Sequence, residues 1–394
     1  MNNGWQKKTL GEVCEFRGGG TPSKAIDGYW SGDIPWVSPK DMKSNIVSES
    51  IDHISQEAIH ASAACLIPKN SVLVVVRSGI LARTVPIAIT GRALTINQDL
   101  KALCPNGAVD SRFLYHLLTS QMERLLSMVS RGATVHRLTT GQLRSLDFIV
   151  PPLPEQRRIV GILDEAFEGL ATAKASAEKN LQNACALFES QLKSVFTKCA
   201  SAWVKKKLGD IAEVQSGGTP LVSQKSNWGG NIPWYSSGEL NGLFTTDPER
   251  YLTRMGLDTS NAKLFPRGSL LIGMYDTAAL KMSILDRSGA FNQAIAGVKP
   301  NNGVEMEFIL HAINAMKPKL LLERRGVRQK NLSLSKIKDI EVPLPKLSEQ
   351  RAALSHLKAL GAETQHLQSN YEQKLAALEA LKKSLLHQAF TGKL

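Results

Sequence analysis

Paired-cysteine motifs, long apolar runs and metal-ligand signatures are missing from this sequence, and each absence removes a class of function. The five cysteines (Cys14, Cys65, Cys104, Cys185, Cys199) are odd in number and never spaced C-x-x-C. Neither a disulfide framework nor a zinc ribbon is expected, and with no signal-peptide pattern at the N-terminus a reduced, cytoplasmic setting is. The longest strongly apolar run, Ser71 to Val76 (SVLVVV), falls far short of the roughly 20 residues that cross a membrane. It reads as a buried strand, and no membrane partner is expected. There is no H-E-x-x-H, no carboxylate cluster and no glycine loop followed by Lys-Ser or Lys-Thr, so metalloenzyme, hydrolase and P-loop chemistry lack their usual marks. What is in excess is positive charge. Lys plus Arg number 48 against 35 Asp plus Glu, a net +13, which suits a polyanionic partner and suits equally a basic surface kept for solubility.

The chain is also written twice. GGTPSKAIDGYWSGDIPW (Gly19 to Trp36) returns as GGTPLVSQKSNWGGNIPW (Gly217 to Trp234), and between positions 10 and 38 the offset of 198 matches 13 of 29 pairs. Average composition gives roughly two such identities by chance, so this is internal duplication. A second block, DFIVPPLPEQRRIV (Asp147 to Val160) against EVPLPKLSEQRAAL (Glu341 to Leu354), runs at offset 194, and the same offset joins FTK (Phe196 to Lys198) to FTG (Phe390 to Gly392). Between the blocks Leu66/Leu264, Asn97/Asn292 and Phe113/Phe308 persist, while Arg77 to Arg92 has little counterpart.

Each copy changes texture part-way. Gly- and Pro-punctuated stretches with short β-branched runs (SVLVVV, SLLIGM) and one helix near Phe113 to Met128 or Phe308 to Met316 predict a compact α+β domain. Prolines (Pro151, Pro152, Pro154; Pro343, Pro345) then halt local structure, and some forty helical residues follow. In the first helix Leu163, Phe167, Leu170, Lys174, Ala177, Leu181, Ala184, Phe188 and Val195 recur at steps of three and four, with one position skipped at Gln191. The second offers Leu360, Thr364, Leu367, Tyr371, Leu378, Leu381 and Leu385. Helices this long and this thinly apolar are not stable alone. Packing on each other, as the same element of two repeats, makes them antiparallel with a globule at each end and the chain termini close together. The alternative is that each folds back on its own domain. Lys174 and Gly361 on or near the seam mark it as imperfect.

This arrangement resembles the specificity subunit of type I restriction-modification systems. The residues that carry the likeness are the LGE and LGD openings at Leu10 and Leu208, the GGTP pairs, I-P-W at Ile34 and Ile232, PPLPEQRR from Pro151 and PLPKLSEQR from Pro343, and it spans nearly the whole chain. It implies an α+β fold with two pseudo-twofold-related target-recognition domains (1–150 and 200–342) separated by an antiparallel coiled coil of two long spacer helices (151–199 and 343–394). It implies a non-catalytic subunit that reads an asymmetric, bipartite site on double-stranded DNA and docks two methyltransferase subunits, with restriction-translocase subunits as further partners. No cofactor belongs to the chain itself; S-adenosylmethionine, Mg and ATP belong to the partners. One departure, Lys346 and Ser348 in place of Pro152 and Pro154, falls at the start of the second helix.

Base reading favours side chains that present two hydrogen bonds, Arg to guanine and Asn or Gln to adenine. The candidates are Lys40, Arg77, Arg83 and Arg92, with Arg131, His136 and Arg137 near the end of the first domain. In the second they are Lys225, Lys263 and Lys281, with Arg324, Arg325, Arg328, Gln329 and Lys330 in the equivalent pre-hinge loop. Gly19, Gly20, Gly217 and Gly218 form tight turns or offer bare amides to phosphate. The D-I-P-W and N-I-P-W phrases resemble the base-gripping motif of amino-methyltransferases, but Ile34 and Ile232 replace its first proline; Ile34, Trp36, Ile232 and Trp234 are expected to anchor their domain cores instead. Two other classes stay open: a self-contained DNA methyltransferase or nuclease, which lacks a cofactor loop or acidic cluster here, and a scaffold that coats DNA without reading it.

Overall fold

The structure, a computed structural model, describes residues 4–132, 134–198, 203–275, 278–322 and 332–394. It divides into two compact units, Met1–Ala177 with Gln373–Leu394, and Glu178–Glu372. Four helices matter below: α1 (Ser111–Ser120), α2 (Leu153–Lys198), α3 (Met306–Leu322) and α4 (Leu347–Phe390).

Unit 1 is built on a five-stranded sheet in the order Cys14–Gly18, Leu100–Pro105, Val72–Val75, Ile87–Thr90, Ile46–Val47, antiparallel except at the last pair. The run expected to be a buried strand is its centre, and every residue of Val72–Val75 is inaccessible. Alternation is absent because apolar packing covers both faces of that strand. The helix α1, capped by Asp110 accepting from the amides of Arg112 and Phe113, lies against Ile87–Thr90. A four-stranded sheet (Asp52–Ile54, Ile34–Val37, Leu94–Ile96, Leu66–Ile67) carries the first I-P-W. The strand Gln6–Thr9 pairs with Asp147–Val150 and ties the opening of the domain to its hinge.

Unit 2 repeats this plan with less regular structure. Its main sheet runs Val214–Ser216, Ile295–Val298, Leu270–Gly273, Met282–Ile284, and where unit 1 has a fifth strand there is an isolated bridge from Phe244 to Ile284. The second sheet is Arg250–Leu252, Trp228–Tyr235, Ala290–Phe291, and Lys205–Lys207 pairs with Glu341–Pro343 at the hinge.

The duplicated phrases do the same work in both units. Indole Nε1 of Trp36 donates to the Gly20 carbonyl at 2.9 Å, and that of Trp234 to the Gly218 carbonyl at 3.0 Å. Trp30 and Trp228 meet these rings edge-on at 5.1 Å. The tryptophans are core anchors, as the sequence suggested.

The glycines require a correction. None of Gly19, Gly20, Gly217 and Gly218 adopts the left-handed conformation of a glycine turn; a Cβ on Gly19 would stand 1.9 Å from the Ile96 carbonyl oxygen, and one on Gly217 2.0 Å from that of Phe291. Glycine is needed so that two backbones can touch. The Gly20 and Gly218 amides are spent on the Ile96 and Phe291 carbonyls, and that of Gly217 on Ile295. Those three amides are already engaged and are not bare donors for phosphate.

The hinge phrase acquires a meaning that the sequence did not disclose. Gln156 is inaccessible; its amide nitrogen donates to the Ala108 and Pro151 carbonyls at 3.1 and 2.8 Å, and its oxygen accepts from the Asp110 amide at 2.8 Å. Gln350 does the same with Gly303, Pro345 and Glu305 at 3.0, 2.9 and 2.9 Å. A buried amide is stabilising only when satisfied this fully. Pro154 lies in the first turn of α2, where a missing N–H costs little, so it starts the helix and does not stop structure. Leu153 and Leu347 open the two helices at equivalent places, and Lys346 and Ser348 leave the start of α4 unshifted.

Each unit holds one part of each long helix. In unit 1, Leu386 and Ala389 of α4 are buried in the domain core and Phe390 meets Phe113 at 5.2 Å; Arg158 donates to the Leu394 carbonyl, and Trp5 packs on the same core as Leu394. In unit 2, Leu192 and Phe196 of α2 enter the core and Phe196 meets Phe308 at 5.1 Å. Within unit 1 the helix contacts descend on α4 as they rise on α2 (Phe167 with Lys382, Lys174 with Glu379). Within unit 2 the same holds for Cys185 with Gln368 and Phe188 with Gly361. The helix segments of each unit are therefore antiparallel. Leu163 is fully buried, and Phe167, Leu170, Leu181, Phe188, Leu360, Leu367, Tyr371, Leu378 and Leu385 are half-buried. Leu381 is a correction: it is 48% exposed, and Leu378 and Leu385 on either side face inward instead.

Candidate nucleic-acid interface

The basic candidates of unit 1 separate into two groups. Strand Arg77–Ser78 pairs with His136–Arg137, putting Arg77 directly opposite Arg137 and His136 opposite Ser78. Backbone bonds between Ser130 and Arg137 in both directions, and from the Leu138 amide to the Val76 carbonyl, fix this small ribbon to the central strand. Arg83 follows the short helical turn Gly79–Ala82, which packs on His136–Arg137, and Arg131 leads into the ribbon; both are exposed. Opposed like charges on a strand pair destabilise it. The nearest compensation is Asp99, whose Oδ1 is 3.9 Å from Arg77 Nε. His136 Nδ1 is buried with no hydrogen-bond partner. A local anion would relieve this assembly, and its five side chains come from two stretches of the sequence more than forty residues apart.

Lys40 and Arg92 belong elsewhere. Lys40 Nζ is 2.7 Å from Asp52 Oδ2, a bond that raises the lysine above its usual range, and Arg92 is 2.9 Å from Glu49, which also meets His53 at 3.1 Å. Their charge is answered within the domain.

In unit 2, Lys225, Lys263 and Lys281 are on three different elements. Lys225 lines an open cleft of about 570 Å³ with Trp228, Glu249, Arg250 and Tyr251, where the Arg250 guanidinium lies over the Trp228 ring at 5.4 Å. Arg250, Trp228 and Tyr251 were not singled out as a binding group, since they come together only through the pairing of their strands. Lys281 donates to Asn241 Oδ1 at 3.1 Å, and beside it burial, then repulsion from Lys281, holds Lys317 below its ordinary value. Lys263 is exposed on the loop after the helix Arg254–Asp258. Arg324, Arg325, Arg328, Gln329 and Lys330 lie outside the described residues. Leu332 bonds the Met274 carbonyl as Leu138 bonds that of Val76, an equivalent anchor in each domain.

Among the described residues no group of three or more His, Cys, Asp or Glu is placed to hold a metal ion, and no helix is long and apolar enough to cross a membrane.

The family comparison finds the same duplication. The family model for the type I restriction modification DNA specificity domain matches residues 2–180 and again 200–377. The chain belongs to this family. Each half is thus a DNA specificity domain, and the duplication is a pair of them. The specificity subunit of the Escherichia coli type I restriction enzyme EcoR124I/EcoR124II is 42% identical over 160 residues, 40% of each protein. That of MjaIX from Methanocaldococcus jannaschii is 26% identical over 286 residues, 68% of this chain and 65% of the relative. The alignments thus span less than two thirds of either relative. Among solved structures, a chain from a type I R-M system studied for complex assembly and conformational transition matches with a TM-score of 0.81 at 19% identity, covering 100% of this chain and 99% of that one. The HsdS subunit of Thermoanaerobacter tengcongensis matches at 0.65 and 18%, covering 100% and 98%. At such identities these two likenesses establish the specificity-subunit fold.

Proposed function

We propose that this chain is the DNA-recognition subunit of a cytoplasmic type I restriction-modification complex. Each domain reads one part of an asymmetric, interrupted target on double-stranded DNA, and the long helices present two methyltransferase subunits, with restriction-translocase subunits where a nuclease is attached. The chain does no catalysis; S-adenosylmethionine, Mg and ATP serve the partners. The observation that carries this reading is the ribbon in which Arg77 faces Arg137 with Arg83, Arg131 and His136 beside it, a concentration of charge that its own domain leaves incompletely answered. Family membership of both halves supports it. Unlike loops on like frames make the two half-sites differ. The pre-hinge loop of the second domain, with Arg324, Arg325 and Arg328, is part of the same proposal.

Genome-wide methylation mapping with and without the chain tests it: an interrupted, asymmetric motif that vanishes on deletion is expected. Exchange of residues 200–342 for another such domain should change one half of the motif only. A continuous palindrome, or methyl transfer by the purified chain alone, refutes the assignment.

A further inference from the structure

The two helix contacts nearest the domains are equivalent in position and opposite in chemistry. In unit 1 the α2 position is Phe167, and the α4 side chain over its ring is Lys382, Nζ 5.4 Å from the centroid. Moving each residue by the repeat offset of 194 gives Gly361 on α4 and Phe188 on α2. These two meet in unit 2, where a Cβ on Gly361 would be 3.6 Å from the Phe188 ring. Both rings are on α2, but the repeat offset places them on opposite sides of the equivalent contact: Phe167 corresponds to Gly361, and Phe188 to Lys382. Both rings approach the equivalent histidine: Phe167 is 5.5 Å from His116, and Phe188 is 6.4 Å from His311.

The contact between each domain and its own helix is inverted too. Arg112 of α1 pairs with Asp164 of α2 at 3.1 Å, whereas Glu307 of α3 pairs with Lys358 of α4 at 2.8 Å.

We infer that the inverted contacts between the long helices are a pairing code that makes the two unlike repeats of one chain select each other over like repeats of two copies. Association of two first repeats sets Phe167 against Phe188, two rings where the space holds one. Association of two second repeats sets Gly361 against Lys382, a gap beside a charge with no ring to lie on. Overfilling and voids are both costly in a packed contact. The ion pairs Arg112–Asp164 and Glu307–Lys358 each lie within one repeat and survive either association, so the choice rests on the helix contacts. Discrimination by repulsive alternatives of this kind is how helical pairs choose partners.

The test uses the full-length chain and does not depend on DNA. Phe188→Lys combined with Lys382→Phe keeps composition and length but mismatches both contacts within one chain while matching them between like repeats of two copies. The expected result is a melting midpoint lower by about 4 °C or more together with a larger dimer fraction in sedimentation equilibrium at equal concentration. An unchanged mass distribution overturns the inference, whether or not the midpoint falls, because lost packing alone gives that pattern. As a second arm, Phe167→Gly added to Lys382→Phe rebuilds the unit 2 contact in unit 1 and should recover more than half of the midpoint lost by Lys382→Phe alone; no recovery also overturns it.

Discussion

Unit 1 and unit 2 keep the same glutamine at the same point of their hinges, inaccessible and triply bonded, yet the residue after the central strand and its bonded neighbour is Arg77 in one and Tyr275 in the other. Where a side chain must satisfy backbone groups of its own fold, the duplicated sequence barely changed. Where it faces outward, little of the original repeat survives. The proposed function needs this division, because within each domain the frame sets where a reading residue stands and the surface sets what it reads.

The sharpest way to break the shared frame is at the glutamines. Gln156→Leu or Gln350→Leu strands one buried amide and two carbonyls, and at about 1–3 kcal/mol for each unsatisfied group the loss should be on the order of 4 kcal/mol. Chemical denaturation should show the same loss for either variant. If one substitution is tolerated, the two hinges are not equivalent and the comparison fails at its strongest point.

Close behind are the packing glycines. Gly19→Ala and Gly217→Ala put a methyl group 1.9 and 2.0 Å from carbonyl oxygens of the same domain, and with backbone on both sides little can yield. A cost of about 3 kcal/mol is expected for each, read from the unfolding midpoint. Equal stability of the alanine variants refutes the close-approach account of the GGTP phrase.

Much of this was legible in the sequence, for reasons that differ between elements. Duplication exposed the frame, since identical residues at a fixed offset mark positions where packing tolerates one answer, and the periodic apolar stripe exposed the helices. The role of Gln156 was hidden because its partners, Ala108, Asp110 and Pro151, include two almost fifty residues away. Arg77 and Arg137 were legible singly as basic residues, but their opposition depends on strand register. Lys40 and Arg92 looked identical to them in sequence and differ only in having Asp52 and Glu49 alongside.

The proposed reading surface of unit 1 can be probed at that register. Arg77→Ala and Arg137→Ala should each weaken binding of the assembled complex by about 1–3 kcal/mol and relax one half-site only if they touch bases. Phosphate contacts would instead give a uniform loss and a salt slope smaller by about one. Lys40→Ala, whose charge is locally answered, should change neither. Titration of labelled duplex across a salt series separates these outcomes, and unaltered binding by both arginine variants removes the ribbon from the interface.

The histidines offer a finer comparison. Burial holds His116 below its ordinary value of 6.5 against the pull of Asp164, with Arg112 and Lys382 acting in the same sense as burial. Burial does the same to His311 against Glu307, with Lys358 assisting. A depressed histidine is neutral in the fold while the unfolded chain takes up its proton first. Stability is therefore full above about pH 6.5 and falls as the pH drops toward the lower folded values. Denaturation midpoints between pH 7.5 and 5 should decline, and His116→Gln with His311→Gln should flatten the decline. A slope untouched by both substitutions assigns it to other groups.

The smallest expected effect separates vacancy from necessity at Gly361. Unlike Gly19, it sits mid-helix with ordinary contact distance to the nearest atom, the Phe188 ring at 3.6 Å from a Cβ. Alanine fits there without moving the ring and removes the helix penalty of glycine, so Gly361→Ala should stabilise the chain by about 0.5–1 kcal/mol. Leucine at the same position needs the volume that Phe188 fills and should destabilise it. Opposite signs from two apolar substitutions at one residue are a response that only a partly filled contact gives; the same sign from both would show that Phe188 does not occupy the place opposite Gly361.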